Sequence, residues 1–290
     1  MTVIRGAQLI VIIALILGLT GCVSLRKKAF AFVASQDGKH DPLKITDDFY
    51  YVGSSDIAVY LINTDDGLVL FDTGYDHNHK LIVSNIEKAG FNPQDIKFIL
   101  NTHAHMDHAG GIERMRVLSG AEVLAPELAR LELMRGSRDD FSLLIRLMPF
   151  KPVEQVEQLK ENIITLGSQT INWHHTPGHT KGCTTWTFTL NVHGEDRNVV
   201  LVCGFKILPF TKLKDNRKYP NIMGDYKKTI GILEQLKDSC DILLAPHLSH
   251  LNLNTTLDEL RKNIYDFNEN KCMKELEEEI ENIRSRISKN

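Results

Sequence analysis

Short apolar runs rich in aromatic and branched residues occur at residues 50–52, 58–63 and 68–71, and each predicts a β-strand. Asp65, Asp66 and Gly67 separate the last two and supply the turn chemistry of a hairpin. Asp72-Thr73-Gly74 closes the third strand, after which Leu81, Ile82, Ile86 and Ala89 recur at helical spacing up to a stop at Gly90. A further strand at residues 98–101 runs straight into a dense polar cluster, and Ala109-Gly110-Gly111 then opens another helix. Residues 122–125 read as a strand and 127–135 as a helix. The stretch 136–152, apolar in its middle with two prolines near its end, fits either a short helix with a loop over a site or simple packing.

A second strand-rich half follows, with strands predicted at 163–166, 169–174, 184–190 and 199–203, a helix at 225–236, a strand at 242–244 and a helix at 257–268. Leu276, Ile280, Ile283 and Ile287 form one face of a last helix whose charged remainder is a solvated face. Strands then helices, twice over, predict an α/β fold: a four-layer αββα sandwich of two facing mixed sheets with helices outside.

At 290 residues and 42% apolar, the chain can bury one large core, and the spread of its motifs favours a single domain over residues 46–290. A net charge of -3 without a basic block argues against nucleic acid and for a small-molecule substrate, with a monomer expected. The N-terminus changes the picture. Arg5 precedes an apolar run at residues 9–19 that is too short for a membrane span, so residues 1–21 read as a secretory signal. Leu19-Thr20-Gly21-Cys22 resembles the lipobox of bacterial lipoproteins. That resemblance implies acylation of Cys22, a tether over residues 22–45, a periplasmic location and membrane contact only through the lipid; an ordinary signal peptide or an uncleaved anchor are the alternatives.

Export makes the five cysteines informative, because in an oxidising compartment the four beyond Cys22 can pair. A bridge from Cys240 to Cys272 would tie the C-terminal helix to the strand at 242–244, and it is preferred over the two other connectivities. Cys183 and Cys203 lie in apolar surroundings and read as small buried hydrophobes.

The polar cluster after residue 101 reads His103-Ala104-His105-Met106-Asp107-His108. Four metal-capable side chains within six positions, delivered by one strand end, exceed what a single ion accommodates, so they read as the shared wall of two adjacent metal positions. Two more ligands are then required downstream, and His179 and His247 each sit in a turn beside an apolar strand. His77 and His79 form H-x-H without a following D-H and read as rim or surface groups, His174 and His175 read as supporting or packing groups, and His250 either lines the pocket or sits on a solvated loop.

These segments, together with Thr176-Pro177-Gly178-His179-Thr180, Gly182-Cys183-Thr184-Thr185-Trp186-Thr187, Tyr219-Pro220 with Asp225-Tyr226, and Cys240 to His247, resemble the metallo-β-lactamase superfamily, and within it the third subclass of class B. The resemblance implies one zinc ion on His103, His105 and His179 and a second on Asp107, His108 and His247. It also implies a Cys240–Cys272 bridge and hydrolysis of the β-lactam amide by a metal-bound hydroxide, with Asp107 orienting the water, hence antibiotic resistance. Another hydrolase of this fold, of lactonase or thioesterase type, is the alternative. Glyoxalase II and its relatives bridge their metals with an aspartate after the strand matching residues 199–202, where this chain reads Cys203-Gly204-Phe205-Lys206. The subclass often carries two serines there. Here Lys206 is the candidate for holding a substrate carboxylate, as a point charge, and Cys203 is a minor candidate ligand.

Overall fold

The computed structural model describes residues 37–204, 207, 211, 213–250, 262 and 271–289. Cys22, the signal segment, Lys206 and the helix expected at 257–268 lie outside the described residues or almost wholly so.

Within the unit His40–Asn290, the first sheet has seven strands in chain order: β1 (Leu43–Lys44), β2 (Phe49–Tyr51), β3 (Tyr60–Thr64), β4 (Gly67–Phe71), β5 (Ile96–Leu100), β6 (Glu122–Ala125) and β7 (Glu157–Gln158). β1 to β4 run antiparallel, and β4 to β7 run parallel. Parallel neighbours need crossovers, and these carry α1 (His79–Lys88), α2 (Met106–Ala109), α3 (Ile112–Ser119), α4 (Glu127–Arg135) and α5 (Leu143–Arg146). The second sheet is ordered β12-β11-β10-β9-β8. Its strands are β8 (Ile163–Leu166), β9 (Gln169–His175), β10 (Thr184–Val192), β11 (Glu195–Leu201) and β12 (Ile242–Leu244). β12 lies parallel to β11, α6 (Ile222–Lys237) falls in the connection between them, and α7 (Lys271–Ser288) packs on α6 and β12. The result is the expected sandwich of two mixed sheets with helices.

Alternation along the strands builds two cores. Phe49, Tyr51, Tyr60, Ile62, Val69 and Phe71 point into the cluster that contains Trp186, Phe188, Val199 and Leu201 of the second sheet. Their neighbours Tyr50, Leu61, Leu68 and Leu70 point the other way, onto Ile82 and Ile86 of α1 and Ile112 and Met115 of α3. Each large side chain removed from water contributes about 1.5–3 kcal/mol, so a one-residue slip would expose a whole face. Between the sheets, Phe71 stacks on Phe188 at 5.3 Å and meets Trp186 edge-on at 5.9 Å.

Three local differences from the sequence reading have physical causes. Pairing starts at β1, inside the stretch read as a tether, because Leu43 and Lys44 find partners in Tyr51 and Tyr50 and Ile45 is fully buried. β11 begins at Glu195 rather than at residue 199, since the hairpin through His193 and Gly194, both at positive φ, extends the ladder through polar residues with no apolar signal. Cys183 and Cys203 are bonded to each other and so are not separate buried thiols. Cys183 directly precedes β10 and Cys203 lies just beyond the adjacent strand β11, and their Cα atoms are 5.7 Å apart, inside the reach of a disulfide. The same bond removes Cys203 from the candidate metal ligands. Cys240 and Cys272 are bonded as well, joining the approach to β12 to the first turn of α7.

Trp186 is fully buried, and its Nε1–H donates to the Asn101 carbonyl at 3.2 Å. Trp186→Ala removes the ring and leaves that carbonyl without its donor, and it is expected to cost about 3–5 kcal/mol, read as a lowered denaturant midpoint at unchanged slope.

Candidate metal centre

Three strand ends deliver the polar side chains to one place. His103 and His105 follow β5, and the single turn α2 then carries Asp107 and His108. His179 lies in the loop between β9 and β10, and His247 follows β12. The loops of the two sheets are stitched together by Thr184 N–H donating to the Thr102 carbonyl at 2.9 Å. Ala58 N–H donates to the Pro246 carbonyl at 2.9 Å, and the Tyr60 hydroxyl to the Ala245 carbonyl at 3.1 Å.

His103, His105 and His179 form one group whose ligand atoms lie within 4.8 Å of one another, and Asp107, His108 and His247 form a second of the same kind. The first group's three rings are buried and sit 4.6–4.8 Å apart by centroid. In the second, His108 Nε2 is 3.0 Å from His247 Nε2, and each is 3.4 Å from Asp107 Oδ2. Tetrahedral ligation with bonds of ~2.0–2.1 Å sets ligand atoms roughly 3.3–3.4 Å apart, so this triangle of two nitrogens and an oxygen fits a zinc-sized cation. The groups adjoin through His103 and His108, whose rings are 4.3 Å apart.

Electrostatics favour a cation at the second group and an uncharged His103 at the first. Burial, reinforced by His108, His105 and His179, holds the His103 pKa well below its ordinary value. Burial also opposes charge on His108, but Asp107 and then Asp72 outweigh it and bring its pKa to about 10. Burial likewise opposes ionisation of Asp107, yet His108 and His247 hold it well below the usual carboxylate range.

Side chains around the two groups fix their orientation. Asp72, at the end of β4 with φ 61°, accepts from Asn101 Nδ2 at 2.7 Å, Thr102 N at 2.8 Å and Thr102 Oγ1 at 2.7 Å, and it lies 3.5 Å from His108 Nδ1. Because the Thr102 hydroxyl spends its one hydrogen on Asp72, it accepts from His103 Nδ1 at 3.1 Å, which leaves the Nε2 lone pair of His103 for a metal. Asp140 lies 3.8 Å from His105 Nε2, and the Ser137 hydroxyl donates to the Ala104 carbonyl. Residues 136–152 therefore combine the short helix α5 with a loop laid against the metal motif. Glu132, pushed up to about 8 by burial and by Asp140, accepts from Lys181 N and Gly182 N, both at 3.1 Å, and so steadies the loop after His179.

All six candidate ligands read from the sequence fall in these two groups. Among the described residues, the other histidines do not. His77 stacks on Tyr75, His79 meets the Asp76 carbonyl, His174 meets the Thr187 hydroxyl, and His175 sits between the Lys181 carbonyl and Lys228 Nζ. Sequence reading missed Asp56, Asp72, Glu132 and Asp140. Asp72 carried a signal, as a carboxylate ending the strand parallel to β5; the others depend on loop packing that no spacing encodes.

Asp72→Ala would strand the buried donors of Asn101 and Thr102. Since hydrogen bonds to a charged group contribute about 1.5–3 kcal/mol each, the variant is expected to lose at least about 3 kcal/mol, measured by denaturant unfolding of the metal-free protein.

Comparison with known proteins agrees with this geometry. Residues 53–188 match the sequence profile of the Metallo-beta-lactamase superfamily. The native FEZ-1 metallo-beta-lactamase from Legionella gormanii is 32% identical, with 87% of this chain and 97% of that one covered at a TM-score of 0.78. BJP-1, a subclass B3 metallo-beta-lactamase of Bradyrhizobium japonicum, is also 32% identical, covering 87% and 96% at a TM-score of 0.77. An N-acyl homoserine lactonase from a Bacillus species is 28% identical over 147 residues, 42% of this chain and 54% of the lactonase. The match to a hydroxyacylglutathione hydrolase from Maricaulis maris, 32% identical over 102 residues, spans 35% of this chain and 32% of that enzyme, so the chain spans about a third to a half of the curated relatives it matches. With the fold, the two ligand groups and a likeness that runs nearly the full length of FEZ-1, this chain belongs to the metallo-β-lactamase superfamily.

Proposed function

We propose that the chain is a zinc-dependent β-lactamase that opens the β-lactam amide with water and so confers antibiotic resistance. One observation carries the choice within the superfamily. Two three-residue ligand groups adjoin, and at the place where related hydrolases bring a bridging aspartate this chain has Cys203, tied up in a disulfide, and Gly204. A Cβ at Gly204 would come within 2.8 Å of the His179 ring, so even a serine there would crowd the ligand. The likeness to FEZ-1 and BJP-1 over 87% of the chain supports the same reading.

In this proposal His103, His105 and His179 hold one zinc ion, and Asp107, His108 and His247 hold a second. Bound zinc supplies Lewis acidity, polarising a carbonyl and bringing the pKa of water toward ~7. The protein's part is orientation. Thr102 holds the proton of His103 on Nδ1, and Asp107, placed between His108 and His247, would help hold the second ion and accept a hydrogen bond from the attacking water. Three protein ligands in each group leave a position for water or substrate. Lys206 is assigned to the substrate carboxylate as a point charge. Cys22 is assigned a lipid anchor that keeps the enzyme in the periplasm, where β-lactams arrive.

The lactonase match favours a second reading, hydrolysis of a cyclic ester at the same centre. Both reactions transfer an acyl group to water, and they differ in the leaving atom.

A panel of penicillins, cephalosporins, carbapenems, acyl homoserine lactones and thioesters separates the readings. Turnover of at least one β-lactam is expected, abolished by chelation and restored by zinc. Lactone turnover with every β-lactam intact would replace the first reading by the second.

His103→Ala is expected to lower the bound zinc from two equivalents per chain to one, measured by metal analysis after gel filtration. Two full equivalents in that variant would reject the ligand assignment.

A further inference from the structure

Asp56 lies outside both ligand groups and 191 residues from His247, yet its Oδ2 sits 3.1 Å from His247 Nδ1. A carboxylate has only acceptor sites, so the proton of a neutral His247 must reside on Nδ1, and the lone pair of Nε2 must face Asp107 and His108. We infer that Asp56 is a positioning residue for the second zinc ion, holding His247 in the tautomer and ring orientation that ligation needs. The inference rests on the metal reading above and extends it by one residue.

The carboxylate is built in place. Its other oxygen accepts from Ser249 N–H at 3.0 Å, and its own carbonyl accepts from Leu248 N–H at 2.9 Å, so Asp56 grips the segment on the far side of His247. Ile57 forms an isolated β-bridge with His247 itself. The turn that presents Asp56 is equally fixed. The Tyr51 hydroxyl, which has one hydrogen to share, lies 2.6 Å from the Ser54 carbonyl and 3.1 Å from the Ile57 carbonyl, while Ser54 N–H donates to the Ile57 carbonyl at 3.1 Å. Gly53 is required there, because a Cβ would lie 2.3 Å from the Ile57 carbonyl oxygen and 2.7 Å from Val59 N. A surface aspartate merely decorating a loop would need none of this. A carboxylate on one ring nitrogen and the candidate metal position on the other make the order of a carboxylate–histidine–metal triad, in which loss of the outer partner typically weakens metal binding 10–100-fold.

The test compares the full protein with Asp56→Ala, Asp56→Asn and His247→Ala, each titrated with zinc against a competing chelator. The expected result for Asp56→Ala is that one of the two zinc equivalents weakens roughly 10–100-fold while the other keeps its wild-type affinity. Asp56→Asn, whose amide oxygen still accepts from Nδ1–H, recovers part of the loss. A readout apart from affinity is the imidazole Nδ1–H of His247 in the zinc-loaded protein, expected as an exchange-protected resonance in nitrogen-edited spectra. It should persist in Asp56→Asn and vanish in Asp56→Ala. If Asp56→Ala fails to fold, Asp56→Asn carries the test through the shift of that resonance. Two equivalents of unchanged affinity in Asp56→Ala, with the resonance intact, would overturn the role of Asp56 alone. Unchanged zinc stoichiometry in His247→Ala would overturn the ligand assignment and the inference with it.

Discussion

Five imidazoles and a carboxylate crowd into one corner of the fold, where ring nitrogens that meet need a proton or a cation between their lone pairs. His108 Nε2 and His247 Nε2 face one another at 3.0 Å, and two lone pairs at that distance repel unless a proton or a metal ion lies between. Asp107 and Asp72 raise the pKa of His108 against the opposing effect of burial, and the same negative field would favour a divalent ion. Metal binding at such a place must displace that proton, so affinity and protonation are coupled. The remainder of the site keeps this arrangement from relaxing apart.

That work falls to carboxylates outside the two ligand groups. Asp72 collects the donors of Asn101 and Thr102, sets the Thr102 hydroxyl to receive the His103 proton, and lies against His108. Asp140 approaches His105, and Glu132 ties down the loop beyond His179. The sandwich supplies the rigidity behind them: β4 and β5 run parallel, so Asp72 and the motif that begins at His103 leave the sheet side by side, while Trp186 anchors the Asn101 carbonyl from the facing sheet. Residues held at unusual backbone angles, such as Asp72 at φ 61°, persist where the surroundings over-determine them.

The sandwich was legible because alternation and helical spacing are local properties, and the two candidate ligand groups were legible because four of their six members share one turn. His179 and His247 could be found from the requirement that each metal position be completed. The supporting carboxylates could not be found in the same way. Asp56 and His247 meet only through the packing of two loops, and nothing in the spacing of either announces the other. Strand limits failed where polar residues continued a ladder, as at Glu195, and the pairing of Cys183 with Cys203 was hidden by an apolar setting that suits a buried thiol equally well.

That pairing bears on why nitrogen and oxygen, and not sulfur, make up the two candidate ligand groups. Cys203 precedes Gly204, whose backbone lies against the His179 ring, so a free thiolate at this place would stand at the edge of the metal centre. Thiolate is a stronger zinc ligand than water or carboxylate in such surroundings, and it would compete for the position that hydrolysis needs open. Bonding Cys203 to Cys183 at the adjacent strand end removes the competitor and at the same time pins the segment that carries Gly204. The arrangement holds only where disulfides persist. The cysteine pairing and the all-nitrogen-and-oxygen composition of the two candidate ligand groups thus form one consistent physical requirement.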